Sequence, residues 1–503
     1  MVLFVVLMQC IMYGTCLNLL PMWGDEAFTV VTASESPAKI IEIVRDDMHP
    51  PLYFLLAHWW NRLPIGSDPL LRLRALSALF TILCTLILER RVFQSSPGPL
   101  RNWFLLFWGL SPCLLLFGRM ARSYSLQLLL AAVAISCMQE LLEKPVAVKS
   151  LVAFAFSLSA LLYTHYLPGI SIWLGANLLL LRQLKKDRAS IWKSWITCNA
   201  IVVFLYLPWL LTLSVALHRW IQSQTYNLTG NIWTEQIAKL GYCVYSFAFG
   251  EAIPLWLLPV TLALALPYLW LFAAGMRLRR KWLSVSLFVT AIAYLGASHW
   301  VSAPFVPASL LFVLPWFLLA VSAGVTSKQR WGAAVGIAIL AANAAGIWNY
   351  FKGKDLLNAA YVIPGQQMAQ QIALHSQPND TTVWIDAVNF DGAALEYYLP
   401  TSFPVRKLNS PDSVRFAEDE LKRGNIRHLW FVRSLHDTSS GRTFDTLKST
   451  LIREWPEHAF YRYVELSPTR AVILRILARL RHQDPKRSEY LYEISEFVVP
   501  DRR

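Results

Sequence analysis

Two acidic pairs stand near the start of the chain, Asp25-Glu26 and Asp46-Asp47, and His49 follows the second pair by two residues. A carboxylate in such a place suits two tasks: it takes a proton from a hydroxyl, or it holds a divalent cation. Polar and cationic groups recur at three later places. Arg119, Arg122 and Tyr124 lie in FGRMARSYSL, Tyr163, Thr164, His165 and Tyr166 in LLYTHYLPG, and Arg74 in LRLRALSALF. All of them interrupt or border long apolar runs. A charge inside a bilayer costs roughly 2.5–3.5 kcal/mol on insertion scales, so such groups mark function by default. Acids that accept a proton and cations that face an anion are the parts of a transfer reaction with an anionic leaving group. Taken singly, each residue also fits a plainer role: an acid capping a helix, an Arg snorkelling from a helix end, a His packed at an interface.

The elements that must position these residues are apolar. The 503 residues are 55% hydrophobic and 16% charged, with a mean hydropathy of +0.40. Soluble domains carry about 25% charged residues, so an ordinary soluble enzyme, a disordered chain and a disulfide scaffold are excluded. The formal charge of +14 reads as topology rather than nucleic-acid binding, because Lys and Arg cluster in short segments between apolar runs. All 7 Cys precede residue 250, with no CxxC pair, and read as small lipid-buried residues.

Apolar runs at 1–20, 70–88, 102–118, 124–141, 150–166, 167–181, 193–215, 253–276, 283–300, 305–325 and 331–350 predict about eleven spans. With the N-terminus in the cytoplasm, every cytoplasmic connection is basic: Arg90, Arg91 and Arg101; Lys144 and Lys149; Arg182, Lys185, Lys186 and Arg188; Arg277, Arg279, Arg280 and Lys281; Lys328 and Arg330. An odd count sends the tail outside. Run 1–20 lacks a basic start and a small-residue cleavage site, so it reads as an uncleaved span. The expected fold class is an α-helical polytopic membrane protein, residues 1–352, followed by a small extracytoplasmic α/β domain, residues 353–503. In that tail Val383-Trp384-Ile385 and His428 to Val432 read as buried strands. Gln366 to Leu374, Ser413 to Lys422 and Phe444 to Arg453 read as helices. Arg470 to Arg481 reads either as an interfacial basic helix or as a strand followed by a helix.

Residues 21–69 form the first outside loop and carry both acidic pairs. Ser36 is a good N-cap and Pro37 a good first helical residue. Ile40, Ile41, Ile43 and Val44 give that helix a broad apolar stripe for the membrane surface. His49-Pro50-Pro51 stops regular helix, and Leu52 to Trp60 begins a second apolar, aromatic stretch.

WGDEAF, DMHPPLYFLL and RALSALF, together with RSYSL at Arg122–Leu126 and YTHY at Tyr163–Tyr166, resemble the polyprenyl-phosphate-dependent membrane glycosyltransferases of the GT-C type. These include glycosyltransferase family 39, the dolichyl-phosphate-mannose protein mannosyltransferases and the lipid A aminoarabinose transferases. The resemblance covers the membrane half and implies a lipid-phosphate sugar donor and an active site at the outer membrane face. It makes Asp25 the catalytic base, with Glu26 beside it, Asp47 a second acid that positions donor, acceptor or metal, and Arg122 a contact to the lipid phosphate. His49, Arg74, Arg119, Tyr124, His165 and Tyr166 complete the donor-phosphate or substrate set. A divalent metal shared by Asp25, Asp47 and His49 stays open, since the family is mixed on this. The sequence departs from the pattern where members often carry an Arg-Tyr pair before an LLFVLP-like run: here Ala308 and Ser309 stand in those places.

The chemistry is coherent on physical grounds. A sugar leaving from a lipid phosphate departs as an anion, so no acid need protonate it, and one carboxylate suffices for the acceptor hydroxyl. Nearby cations stabilise the phosphate charge. A single displacement inverting the sugar centre is what the resemblance implies. The expected function is an integral membrane glycosyltransferase of a bacterial inner membrane, its partners a polyprenyl-phosphate sugar donor, an extracytoplasmic glycan, lipid or protein acceptor and membrane lipids, with no nucleic acid. A lipid-linked sugar binder or flippase-like transporter is the alternative, and a membrane anchor for the outer domain a third.

Overall fold

The computed structural model describes residues 1–15, 17–93, 97–143, 148–183, 188–223, 232–278 and 306–352, and beyond them 356–362, 364–376, 381–386, 391–408, 411–423, 426–434, 449, 453, 457–463 and 492–498. The expected span 283–300 and the run Arg470 to Arg481 lie outside the described residues. The chain divides into two compact units. The first comprises residues 1–17, 30–253 and 257–352, and the second residues 18–29, 254–256 and 353–503.

The first unit is helical. Its elements begin with α1 (Val2–Gly14), α2 (Gly24–Ser34, of which the last five residues belong here), α3 (Pro37–Asp46), α4 (Leu52–Asn61) and α5 (Pro69–Ile87). They continue with α6 (Gly98–Gly109), α7 (Pro112–Phe117), α8 (Tyr124–Glu143), α9 (Val148–Leu162), α10 (Tyr166–Gln183) and α11 (Arg188–Ser223). The last are α12 (Ile232–Phe249), α13 (Leu258–Leu278), α14 (Leu314–Ser327) and α15 (Gln329–Phe351). Among the described residues, 6 helices are long and apolar enough to cross a membrane, so the expected count of about eleven is not reached. The chain is a multi-pass membrane protein.

The differences have local causes. The run 102–118 is broken because Ser111 caps a new helix, its Oγ accepting from the Leu114 N–H at 3.2 Å, with Pro112 at the first position. The run 305–325 opens as a 3-10 turn, Pro307–Val313, before Pro315 starts α14. Helix α12 is unexpected, since Thr234, Glu235, Gln236 and Lys239 in its first turns dilute the apolar signal. At 36 residues, α11 outruns the roughly 20 that a bilayer needs. It exposes Phe204, Leu207, Leu210 and Leu211, an apolar face suited to lipid.

Helix α14 is buried from Leu314 to Val325, so other helices surround it. Its approach to α13 is set by glycine. A Cβ on Gly275 would stand 1.7 Å from the Ala320 carbonyl oxygen, and one on Gly324 would stand 2.0 Å from that of Leu271. Polar side chains pin other pairs in the way expected between membrane helices. Thr85 Oγ1 donates to Gln9 Oε1 at 2.9 Å and accepts from Trp108 Nε1 at 2.8 Å, tying α5 to α1 and α6. Asn177 Oδ1 of α10 accepts from Trp195 Nε1 and Asn199 Nδ2 of α11, at 2.6 and 3.2 Å.

The second unit is a five-stranded mixed sheet in the order β2-β1-β3-β5-β4, with strands β1 (Thr381–Asp386), β2 (Val405–Lys407), β3 (His428–Ser434), β4 (Glu457–Tyr463) and β5 (Tyr492–Val498). β1 is parallel to β2 and β3; β5 is antiparallel to β3 and β4. Alternate residues feed two cores. Val383, Ile385, Trp430 and Val432 face helices α16 (Gly365–His375) and α17 (Asp391–Tyr398), while Trp384, Leu429 and Phe431 lie with Ala417 of α18 (Pro411–Lys422). Both faces are covered, so the central strands read as continuous apolar runs. His428 bridges three strands, its Nε2 2.7 Å from Glu496 and its Nδ1 3.3 Å from Thr381 Oγ1. Residues 18–29 belong to this unit: Met22 N–H donates to the Tyr398 hydroxyl at 3.4 Å, and Trp23 meets Tyr361 edge-on at 5.0 Å.

Gly275→Val is expected to force α13 and α14 apart and to lower stability by about 3 kcal/mol, the upper range for overpacking. A fall in the thermal midpoint in detergent larger than that of Gly241→Val, where nothing lies within 4 Å of the added Cβ, is the check.

Candidate functional site

The turn after α3 is set by backbone hydrogen bonds. The helix starts as its sequence dictates, with Ser36 Oγ accepting from the Lys39 N–H and Pro37 in the first turn. Its apolar stripe buries Ile40 and Val44. At the far end the His49 N–H donates to the Val44 carbonyl at 2.7 Å and the Met48 N–H to that of Arg45 at 3.1 Å. These are the two bonds of a Schellman cap. The cap requires a left-handed residue, and Met48 occupies that position with φ 57°. A methionine there costs about 1 kcal/mol or more where glycine would be free of strain. The strained turn delivers His49, and Pro50-Pro51 then leads into α4, whose Leu52 N–H donates to the Tyr163 carbonyl at 2.9 Å.

Three groups expected from sequence meet at this place. Arg122 lies in the short loop between α7 and α8 and is 8% exposed. Its Nη2 stands 3.2 Å from His49 Nε2. His49 Nδ1 is 3.0 Å from the Asp47 carbonyl oxygen and 2.9 Å from Asp47 Oδ2. His165, in the turn between α9 and α10, faces both. Burial, and then the neighbouring His49 and Arg122, push its imidazole down to about 3, so it stays neutral. Its Nδ1 is buried with no hydrogen-bond partner among the described residues. The loop bearing Arg122 is pinned by Thr81 Oγ1, which donates to the Gly118 carbonyl at 2.7 Å.

Aromatic rings stand on the His165 side. The Tyr163 hydroxyl donates to the Leu205 carbonyl at 2.9 Å, and Trp209 Nε1 donates to the Tyr166 hydroxyl at 3.1 Å. Tyr206 meets Tyr163 edge-on at 5.3 Å. Sequence reasoning named Tyr163 and Tyr166 but missed Tyr206 and Trp209, which reach the place from α11 and carry no local motif.

The other expected residues have the following neighbours among those described. Arg119 lies over the Tyr350 ring at 4.9 Å, and Arg74 Nη1 donates to the Leu17 carbonyl at 2.5 Å. Tyr124, 4% exposed, packs edge-on against Phe117. Ala308 is fully buried, and its carbonyl accepts from Gln127 Nε2 of α8 at 2.7 Å. Asp25 and Glu26 open α2 and belong to the second unit; Glu26 is 1% exposed and Asp25 is half-buried.

The donor set at His49 does not fit a divalent cation. Its Nδ1 hydrogen goes to Asp47, its Nε2 lone pair takes an Arg122 N–H, and a guanidinium already stands where an ion would approach. Among the described residues no three His, Cys, Asp or Glu side chains gather as metal ligands do.

One titratable group escaped sequence reasoning. Glu251 lies in the connection after α12, at a turn made by Gly250 with φ 73°. It is fully buried, and Ser246 Oγ donates to its Oε1 at 3.4 Å. Burial pushes its carboxyl up to about 7, against the hydrogen bonds of Tyr242 and Ser246.

No protein-family model matches the chain, and no curated protein matches it in sequence. Among solved structures it is similar to ArnT from Cupriavidus metallidurans in the apo state, at 14% identity over 98% of this chain and 97% of that one, with a TM-score of 0.59. The same protein bound to undecaprenyl phosphate matches at 13% identity over 98% and 97%, with a TM-score of 0.55. The fold is therefore that of ArnT.

Two outcomes follow from the local geometry. Met48→Gly is expected to leave stability within about 0.5 kcal/mol, relief of the left-handed strain being offset by chain entropy, whereas Met48→Ile lowers it by about 1–2 kcal/mol. Thermal midpoints in detergent compare them. For Glu251 the folded value lies above the ordinary 4.5, so its stabilisation is complete below that value and is lost as pH rises through about 7. The loss approaches about 3 kcal/mol at alkaline pH. Glu251→Gln is expected to flatten the stability profile between pH 5 and 9, read from unfolding midpoints.

Proposed function

We propose that this protein is a membrane glycosyltransferase that moves a sugar from a polyprenyl-phosphate donor to an extracytoplasmic acceptor. The observation that carries the reading is the meeting of Arg122, His49 and a neutral, partnerless His165 nitrogen in one unit of an ArnT-like fold. One of the ArnT structures it resembles holds undecaprenyl phosphate. A guanidinium beside two imidazoles suits a phosphate, which takes the charged fork in two parallel hydrogen bonds.

The reaction needs one base. The acceptor hydroxyl loses its proton to a carboxylate as its oxygen bonds to the anomeric carbon, and the sugar–phosphate C–O bond breaks with its electron pair on the phosphate. We assign the base to Asp25 rather than Glu26, because Asp25 keeps access to solvent while Glu26 is sealed. Attack opposite the phosphate inverts the sugar centre. Arg122 balances the charge gained by the phosphate. Arg74 and Arg119 belong to the scaffold in this scheme, since a backbone carbonyl and an aromatic ring already engage them. The basic connections read from the sequence support a cytoplasmic N-terminus and a catalytic face outside.

A second reading, a lipid-linked sugar binder or flippase-like transporter, draws on Ala308, where related sequences often carry an arginine. The two readings part on transfer. Asp25→Asn is expected to lower transfer by roughly 10²–10⁴-fold, the range for loss of a general base, with membrane insertion intact. Mass spectrometry of lipid-linked sugars in cells lacking the protein then shows one polyprenyl-phosphate sugar accumulating. Near-normal transfer by Asp25→Asn would end the mechanism, and donor binding without any transfer would favour the transporter.

A further inference from the structure

We infer that the lipid-linked donor enters sideways past α11, at a hinge that Pro208 opens in the helix and the Tyr163 hydroxyl latches. The inference rests on the polyprenyl-phosphate donor proposed above and adds the route by which that donor reaches His165.

The hinge follows from the backbone. Pro208 stands inside α11. It has no N–H to offer the Phe204 carbonyl, and its ring pushes against that carbonyl. The next ladder bond would run from the Trp209 N–H to the Leu205 carbonyl. There the Tyr163 hydroxyl donates to the Leu205 carbonyl at 2.9 Å, and the Trp209 N–H hydrogen-bonds the same hydroxyl. One side chain from another element thus engages both ends of a helical bond. Thr212 Oγ1 donates to the Pro208 carbonyl at 2.9 Å, and Ser214 Oγ to the Leu211 carbonyl at 2.7 Å. Such back-bonds bend helices. Proline and side chains inserted into the ladder are the usual causes of a kink, and here they gather between residues 204 and 214.

The latch itself is anchored. Tyr163 follows α9, and its N–H donates to the Ser159 carbonyl at 3.0 Å while its carbonyl accepts from the Leu52 N–H at 2.9 Å. The main chain is held, and the hydroxyl holds α11. Tyr166 adds a second hook, accepting from Trp209 Nε1 at 3.1 Å. The two tyrosines flank His165 in YTHY.

The position of α11 gives the hinge a use. One face of the helix exposes Phe204, Leu207, Leu210 and Leu211, as suits lipid, while Trp209 is 4% exposed and meets Tyr163 at 6.4 Å between ring centroids. A single helix, about 10 Å across with its side chains, therefore stands between the lipid-suited face and the Tyr163–Tyr166 turn. A donor with a long apolar chain stays in the bilayer and arrives from the side. Neutral hydrogen bonds contribute little net stability, so a latch made of them opens readily, and helix motions of this kind run in microseconds to milliseconds.

The test uses the full-length protein in nanodiscs of phosphatidylethanolamine and phosphatidylglycerol. A polyprenyl phosphate with a fluorophore on its tail is mixed in, and energy transfer from the protein's tryptophans follows its arrival and departure. Tyr163→Phe keeps the ring and removes the latch, and is expected to speed both association and dissociation roughly three- to tenfold, the range for one neutral hydrogen-bonding group. Pro208→Ala restores the missing N–H and closes the ladder, and is expected to slow both roughly threefold or more. A merely structural tyrosine would lower the thermal midpoint without raising either rate. If Tyr163→Phe exchanges the probe no faster than the wild type, or Pro208→Ala no slower, the hinge is wrong while the donor reading stands. Should Tyr163→Phe fail to fold, Pro208→Ala decides alone. A wild-type protein that binds no polyprenyl phosphate would instead remove the donor assignment, and this inference with it.

Discussion

An arginine keeps its proton under every condition a protein meets, so an arginine buried among apolar helices must be given partners. The first unit meets that demand three times, in three ways. Arg74 spends its charge on a backbone carbonyl, Arg119 lies on an aromatic ring, and Arg122 reaches an imidazole lone pair. The first two partners are fixed parts of the scaffold. The same demand for compensation is therefore met by three different kinds of neighbour.

Placing such groups needs a rigid frame. A Schellman turn with a strained methionine at its centre has only one way to present the next side chain, and the surrounding helices cannot relax around it. Gly275 and Gly324 bring α13 and α14 into backbone contact, and Thr85, Gln9 and Trp108 clamp the first helix to the fifth and sixth. In a membrane, where lipid is as apolar as leucine, such close approaches and buried polar bonds hold helices together. The loop that carries Arg122 hangs between α7 and α8 and is fastened by a threonine from α5. The scaffold and the loop that carries Arg122 are thus joined through a few directional bonds.

Much of this was legible in sequence where the signal is local. Ser36-Pro37 announced a helix start, His49-Pro50-Pro51 its end, and Val383-Trp384-Ile385 a buried strand, because capping, proline sterics and apolar runs act over a few residues. The grouping of Arg122 with His49 and His165 was readable only as three polar interruptions of apolar runs; the fold, not spacing, brings positions 49, 122 and 165 together. Met48 gave no warning, since nothing in a methionine predicts a left-handed backbone. Glu251 was hidden for the opposite reason: a lone acid in a connection looks solvated, and only packing seals it. The membership of residues 18–29 in the second unit is equally silent, resting on Tyr361 and Tyr398 more than 300 residues away in sequence. Helix α12 escaped because hydropathy reads composition, and its early turns are polar.

The most direct measurement is the location of a bound lipid phosphate. A cryo-EM structure of the protein with a polyprenyl phosphate is predicted to show the phosphorus within hydrogen-bond reach of the Arg122 guanidinium, with the His165 ring alongside. A phosphate resting elsewhere, out of reach of Arg122, would contradict the account at its root.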